Sequence, residues 1–231
     1  DHPVVSRIGG AAKITLNEKP VFSLSVGSAQ LHCTNEKLCG DAFETFPDGS
    51  GRMVTVLSDG MGSGGRAAVD GAMAVGLTSR LIKAGFGADS VLRLVNSALM
   101  VKSGDESLAT LDVASVDLFT GRLESLKAGA AVSLLRSMGR VSRIEKASLP
   151  VGILQDAAFE RSTDTLTDGD ILLLLSDGAV SEGVAWVEET LRDFDAAGSM
   201  KRLAEEIAVE ARRRQQGARE DDITVVAMQV C

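Results

Sequence analysis

Apolar and polar residues alternate in short bursts along most of this chain, and in three stretches the spacing changes to that of an amphipathic helix. The alternation Val21-Phe-Ser-Leu-Ser-Val26 predicts a strand, and Val54 to Leu57 predicts another that runs into Ser58, Asp59 and Gly60. A helix is predicted over roughly 65–83, rich in Ala and closed by Gly85. A second starts with Asp89 as N-cap and carries a stripe of Val91, Leu94, Val95, Ala98 and Leu99. From Ala109 the pattern turns to strands over 110–118, 122–127, 132–136 and 141–144, punctuated by the turns Thr120-Gly121 and Met138-Gly139. Residues 171–175 are wholly apolar, which predicts a strand buried on both faces. A third helix covers 200–216, with Ser199 as N-cap, Gly217 as C-cap and a stripe of Leu203, Ile207, Ala208 and Ala211. The last strand is 223–230. Meanders alternating with helix pairs predict an α+β layered domain rather than a regular βαβ repeat. One domain over 1–231 is expected, with 1–20 as a leading segment, and the opening on Asp1 rather than Met reads as a piece of a longer protein.

Composition narrows the partners. Against 24 Lys and Arg stand 32 Asp and Glu, a net charge of −8. That balance argues against a nucleic-acid backbone or an anionic membrane surface, both of which demand a basic face. The aromatics are Trp186 and seven Phe with no Tyr, a poor base-stacking platform. His2 and His32 are the only histidines, which disfavours a Ser-His-Asp triad or a His-rich zinc site. Cys33, Cys39 and Cys231 have no C-x-x-C spacing and read as reduced, inert thiols of a cytosolic chain. No apolar run approaches the roughly 20 residues of a membrane span.

The candidate chemistry lies in a repeated local pattern. Asp59-Gly60 and Asp177-Gly178 each follow Ser directly after an apolar strand; Glu220-Asp221-Asp222 immediately precedes the last strand, and Gly40-Asp41 precedes Ala42. Carboxylates fixed at strand ends repel one another unless a cation is bound. An all-oxygen set selects hard ions, Mg²⁺ or Mn²⁺ over zinc. A competing reading is that each Asp-Gly is simply a turn. Gly60, Gly62 and Gly65 also match G-x-G-x-x-G, but Asp59 would set a negative charge beside a pyrophosphate, and a second helix follows where a ribose-binding strand is needed. Arg212 to Arg214 close a helix, where cations suit the macrodipole. Met61 reads as packing under the loop, and Glu182 as a candidate for the surroundings of a metal.

Six segments occur in order: Gly40-Asp41-Ala-Phe, Ser58-Asp-Gly-Met-Gly-Ser-Gly64, Thr110-Leu-Asp-Val-Ala-Ser-Val-Asp117, Leu149-Pro-Val-Gly-Ile153, Gly169-Asp-Ile-Leu-Leu-Leu-Leu-Ser-Asp-Gly178 and Asp221-Asp-Ile-Thr-Val-Val226. Together they resemble the bacterial branch of the metal-dependent serine/threonine protein phosphatases, the type 2C superfamily. The Ser-Asp-Gly-Met-Gly loop is most similar to the phosphatase domain of the stage II sporulation protein E family. The resemblance implies an α-β-β-α sandwich of two antiparallel sheets flanked by helices. It implies two Mn²⁺ or Mg²⁺ ions bridged by Asp59, with the carbonyl of Gly60, Asp177 and Asp221 completing the ligand set and Asp41 acting through water. The register between Asp221 and Asp222 stays open. The catalytic residues would be Asp59, Asp177 and Asp221, hydrolysing phosphoserine or phosphothreonine with no phosphoenzyme. Eukaryotic members carry a His, proposed as general acid, where this chain has Met61, so the leaving-group proton must come from water at the ions or from the substrate protein.

The implied substrate is a phosphorylated anti-sigma factor antagonist in sporulation signalling, met by a cytoplasmic domain of a larger protein, membrane-attached or not, with homodimerisation left open. The helix pair over 65–102 would regulate the site by shifting the Asp59 loop against Asp177 and Asp221. Two alternatives from other classes are a non-catalytic phosphoprotein-binding module of the same fold and a nucleotide-binding oxidoreductase. Retention of the acidic positions disfavours the first, and titration with NAD(H) separates the second.

Overall fold

The computed structural model describes residues 4–8, 11–15, 18–34, 38–62, 64–102, 108–155, 160–215 and 220–231. His2, Ser63, Gln216 and Gly217 lie outside them. In chain order the strands are β1 (Val4–Ile8), β2 (Ala11–Thr15), β3 (Leu24–Leu31), β4 (Asp41–Pro47), β5 (Arg52–Asp59), β6 (Leu111–Asp117), β7 (Arg122–Ala128), β8 (Ser133–Ser137), β9 (Arg140–Ile144), β10 (Glu160–Thr165), β11 (Ile171–Leu175) and β12 (Ile223–Val230). Helices α1 (Gly64–Lys83) and α2 (Ala88–Lys102) separate β5 from β6, and α3 (Asp177–Val180), α4 (Ala185–Asp193) and α5 (Met200–Arg214) separate β11 from β12.

Two five-stranded antiparallel sheets form the centre: sheet I in the order β10-β7-β6-β5-β4 and sheet II in the order β3-β12-β11-β8-β9. β1 and β2 make a separate hairpin. Strand periodicity explains the layering, since alternate side chains reach opposite faces. On β11, Ile171, Leu173 and Leu175 pack with Leu203, Ile207 and Ala211 of α5, whereas Leu172 and Leu174 face Leu57, Ala114 and Leu123 of sheet I. On the outer face of sheet I, Val56, Leu111 and Val113 meet Ala74, Val91, Val95 and Leu99 of α1 and α2. The architecture is therefore the α-β-β-α sandwich. All five side chains of β11 are buried, each stabilising the fold by about 1.5–3 kcal/mol relative to exposure. Asp70, buried on α1, pairs with Lys102 on α2 and ties that helix pair together.

Several predicted boundaries move. The first predicted strand begins only at Leu24, because the N–H groups of Val21 and Phe22 both bond to the carbonyl of Leu118. Asp89 is not a cap: α2 starts at Ala88, the carbonyl of Gly87 accepts from Ser90 and Val91, and Asp89 sits inside the first turn. There its carboxylate suits the helix dipole and reaches Arg161. Ser199 holds the N-cap position of α5 in extended backbone without a side-chain cap bond.

Candidate metal centre

At one end of the sandwich the layer between the sheets changes from apolar to acidic. Asp41 and Asp59 are directly opposed on β4 and β5, two residues beyond the inward-facing pair Phe43 and Leu57. Strand phase thus aims both carboxylates between the sheets. From sheet II, Asp177 follows β11 and Asp221 precedes β12. The backbone around Asp59 is pinned on both sides. Its N–H donates to Thr110 Oγ1 at 2.8 Å, its carbonyl accepts from the N–H of Thr110 at 2.8 Å, and the N–H of Met61 donates to the carbonyl of Leu108 at 2.9 Å.

Gly60 is required by close approach. A Cβ there would lie 1.9 Å from the carbonyl oxygen of Ala67, so only glycine lets α1 rest on the loop. At Gly178 a Cβ would lie 2.0 Å from the carbonyl of Asp222, which brings the Asp177 turn against the Asp221-Asp222 segment. Gln215, fully buried, joins the same pieces: its Nε2 donates to the carbonyl of Gly178 at 2.9 Å, while its Oε1 accepts from Arg212 at 2.8 Å and from the N–H of Asp221 at 3.3 Å. Arg212 also donates to the carbonyls of Leu31 and His32, so it is a cross-tie as well as a helix-terminal cation.

The two adjacent aspartates differ. Asp222 is buried, with Oδ1 accepting from the N–H of Cys33 at 2.8 Å and Oδ2 from the N–H of Gly40 at 2.5 Å. Asp221 is exposed, and its Oδ1 accepts from the N–H of Asp222 at 2.9 Å.

Electrostatics match the donor set to a cation. Both oxygens of Asp41 are buried with no hydrogen-bond partner. Burial lifts its carboxyl from 3.8 to about 7, the neighbouring Thr224 and Ser176 hydroxyls hold it back in part, and Asp222 and Asp177 push it further up. Asp59 is raised by burial and then by Asp177, Asp41, Asp221 and Asp222; Asp177 is raised by burial and then by Asp221. Mutually repelling carboxylates with orphaned oxygens suit hard divalent ions. Among the described residues, no three His, Cys, Asp or Glu groups are already drawn together closely enough to hold an ion.

Of the sequence-predicted site residues, Asp41, Asp59, Gly60, Asp177 and Asp221 therefore share one end of the sandwich. Met61 does not pack under the loop: the residue is exposed, at 43%. Cys39 is half-buried, and burial with Asp41 and Asp222 pushes its thiol up to about 12, which leaves it inert. The glycine-rich loop leads through α1 and α2 before β6, so it lacks the strand a dinucleotide site needs. Sequence reasoning missed Gln215, Asp112 and Lys127. The one signal for Lys127 was phase, since it shares the inward face of β7 with Leu123.

The fold aligns with the PP2C phosphatase domain and regulatory-domain fragment of the cell fate determinant SpoIIE from Bacillus subtilis, with a TM-score of 0.85 and 22% identity over 99% of this chain and 69% of that one. It also aligns with RsbX in complex with magnesium, with a TM-score of 0.71 and 20% identity over 100% of both chains. The fold is thus the one that PP2C phosphatase domains share. Stage II sporulation protein E of Bacillus subtilis (strain 168) is 25% identical over an alignment of 227 residues that covers 96% of this chain and 27% of that protein. The chain belongs to the stage II sporulation protein E (SpoIIE) family, whose model matches residues 49–231. It spans about a quarter of the length of that curated relative. No helix among the described residues is long and apolar enough to cross a membrane.

Proposed function

We propose that this chain hydrolyses phosphoserine or phosphothreonine on a protein, using two Mn²⁺ or Mg²⁺ ions. The observation that carries the reading is the meeting of carboxylates from both sheets at one end of the sandwich, with burial and mutual repulsion raising Asp59 and Asp41. Asp59, the carbonyl of Gly60, Asp177 and Asp221 would hold the ions, and Asp41 would act through water. Asp221 is the ligand in preference to Asp222, because both oxygens of Asp222 already accept from backbone N–H groups. When bound, divalent ions would neutralise the phosphoryl group and activate a water as nucleophile.

The chain's own residues position this chemistry. Thr110 and Leu108 fix the Asp59 loop, Gln215 fixes Asp177 against Asp221, and α1 closes over Gly60. Residues 1–231 act as one domain, with the β1–β2 hairpin within a leading segment.

The substrate of this reading is a folded, serine-phosphorylated anti-sigma factor antagonist in sporulation signalling. A chain of net charge −8 repels a dianionic phosphate and needs protein contacts for affinity. The test compares a folded phosphorylated antagonist with a peptide carrying the same phosphoserine, at equal Mn²⁺. A much higher kcat/KM on the folded protein is expected. Equal efficiency would remove the docking claim, and no turnover of either would remove the phosphatase reading.

A further inference from the structure

The ligand set is split between two sheets. Asp41 and Asp59 belong to sheet I, Asp177 and Asp221 to the strand ends of sheet II. Whatever fixes the gap between the sheets at this end therefore fixes the distance between the two halves. We propose that Lys127, Asp112 and Ser133 form a buried clasp that sets this gap, acting as positioning residues for metal binding. The proposal rests on the metal-centre reading above.

Lys127 on β7 is 1% exposed, and its ammonium donates to Asp112 Oδ2 at 2.5 Å, to the carbonyl of Ala131 at 2.7 Å and to Ser133 Oγ at 2.8 Å. Those bonds use all three of its protons. Ser133 Oγ also donates to Asp112 Oδ2 at 2.6 Å. Asp112 and Lys127 are register partners within sheet I, whereas Ser133 opens β8 of sheet II. The bonds to Ser133 thus cross from one sheet to the other.

The clasp is close to both ligand halves through the backbone. Asp112 pairs with Leu57, two residues before Asp59, and Thr110, two residues before Asp112, exchanges hydrogen bonds with Asp59. On the other side β8 pairs with β11, which ends two residues before Asp177. Between them lies a cavity of about 40 Å³ lined by Asp59, Thr110, Asp112, Ser176 and Asp177. Asp112 lines this space, which is large enough for an ordered water, and its Oδ1 is buried without a hydrogen-bond partner.

Stability alone is a poor reason for such a group. Its layer is otherwise lined by Leu57, Ala114, Leu135, Leu172 and Leu174, and a buried ion pair is often no better for stability than an apolar pair of similar volume. What the ion pair adds is directional geometry across the gap.

The test replaces the pair with apolar side chains, Lys127→Met with Asp112→Leu, and titrates Mn²⁺ into EDTA-stripped protein by calorimetry beside a thermal melt. The expected result is an unchanged or higher melting temperature with an Mn²⁺ Kd raised about ten- to a hundredfold, the scale for groups that orient metal ligands. Ser133→Ala is the milder companion should the double variant fail to fold: it should weaken Mn²⁺ binding severalfold while Ser133→Thr retains it. Native Mn²⁺ affinity in a folded double variant, or in Ser133→Ala, would overturn the clasp alone. A wild-type protein that binds no Mn²⁺ would overturn the metal-centre reading and the clasp with it.

Discussion

Asp41 and Asp59 stand directly opposite each other on adjacent antiparallel strands, a like-charge pair at a position where opposite charges or apolar contacts normally sit. The next inward pair behind them, Phe43 and Leu57, is apolar and offers no opposite charge. The arrangement is costly to the folded chain unless a proton or a cation joins it.

That cost has a sign in pH. The Asp41 carboxyl titrates near 7 in the folded chain against 3.8 for an ordinary carboxyl, so the folded state holds a proton that the unfolded state has already lost. Asp41 therefore favours the fold at low pH, and this contribution fades as pH rises from about 4 through about 7. In EDTA the melting temperature of wild type, relative to Asp41→Asn, should fall between pH 5 and pH 8, and Mn²⁺ should restore more of it at pH 8 than at pH 5. A difference that is flat or rises with pH would contradict the assignment.

Asp177→Asn removes one oxygen anion from the ligand set and one repelling neighbour from Asp59. Turnover at saturating Mn²⁺ should drop on the order of a thousandfold, the scale of several kcal/mol of lost charge stabilisation. The metal-free melting temperature should hold or rise. Near-native turnover would exclude Asp177 as a ligand.

Asp222 and Asp221 should separate cleanly. Asp222→Asn weakens two charge-assisted bonds, to Cys33 and Gly40, and should cost about 1.5–3 kcal/mol of stability in chemical denaturation. Asp221→Asn should leave stability within about 0.5 kcal/mol, as exposed substitutions do, yet weaken Mn²⁺ binding. The reverse pattern would make Asp222 the ligand.

Gly60→Ala places a methyl 1.9 Å from the carbonyl of Ala67, so α1 must lift from the loop that bears Asp59. Overpacking of this kind costs about 1–3 kcal/mol. Denaturation and Mn²⁺ titration should show losses of both stability and metal affinity; a variant with native values in both would mean that α1 does not seat the loop.

Much of this was legible in the chain. Residues 171–175 and 223–230 are legible at their observed bounds because the first run is wholly apolar and the second is apolar except for Thr224 and Gln229. The acidic positions were legible because each sits at a strand-to-loop boundary. β10 was missed because most of its side chains are exposed and polar, and α4 because it buries only Val187 and Leu191. β4 drew notice only for Asp41, although its Phe43 and Phe46 alternate irregularly with polar residues. Beyond the strand phase that turns Lys127 inward, the Lys127–Asp112 pair and the bond from Gln215 to Gly178 are not legible, since a single sequence carries no mark of pairings between distant segments.

The central claim is that the acid cluster works through divalent ions on a phosphoryl group. The most direct measurement is phosphate release from p-nitrophenyl phosphate by the wild-type chain, after EDTA stripping and after return of Mn²⁺. Release that is absent in EDTA, saturates with Mn²⁺ and is lost in Asp59→Asn is the expected result. Release that persists in EDTA, or survives in Asp59→Asn at saturating Mn²⁺, would contradict it.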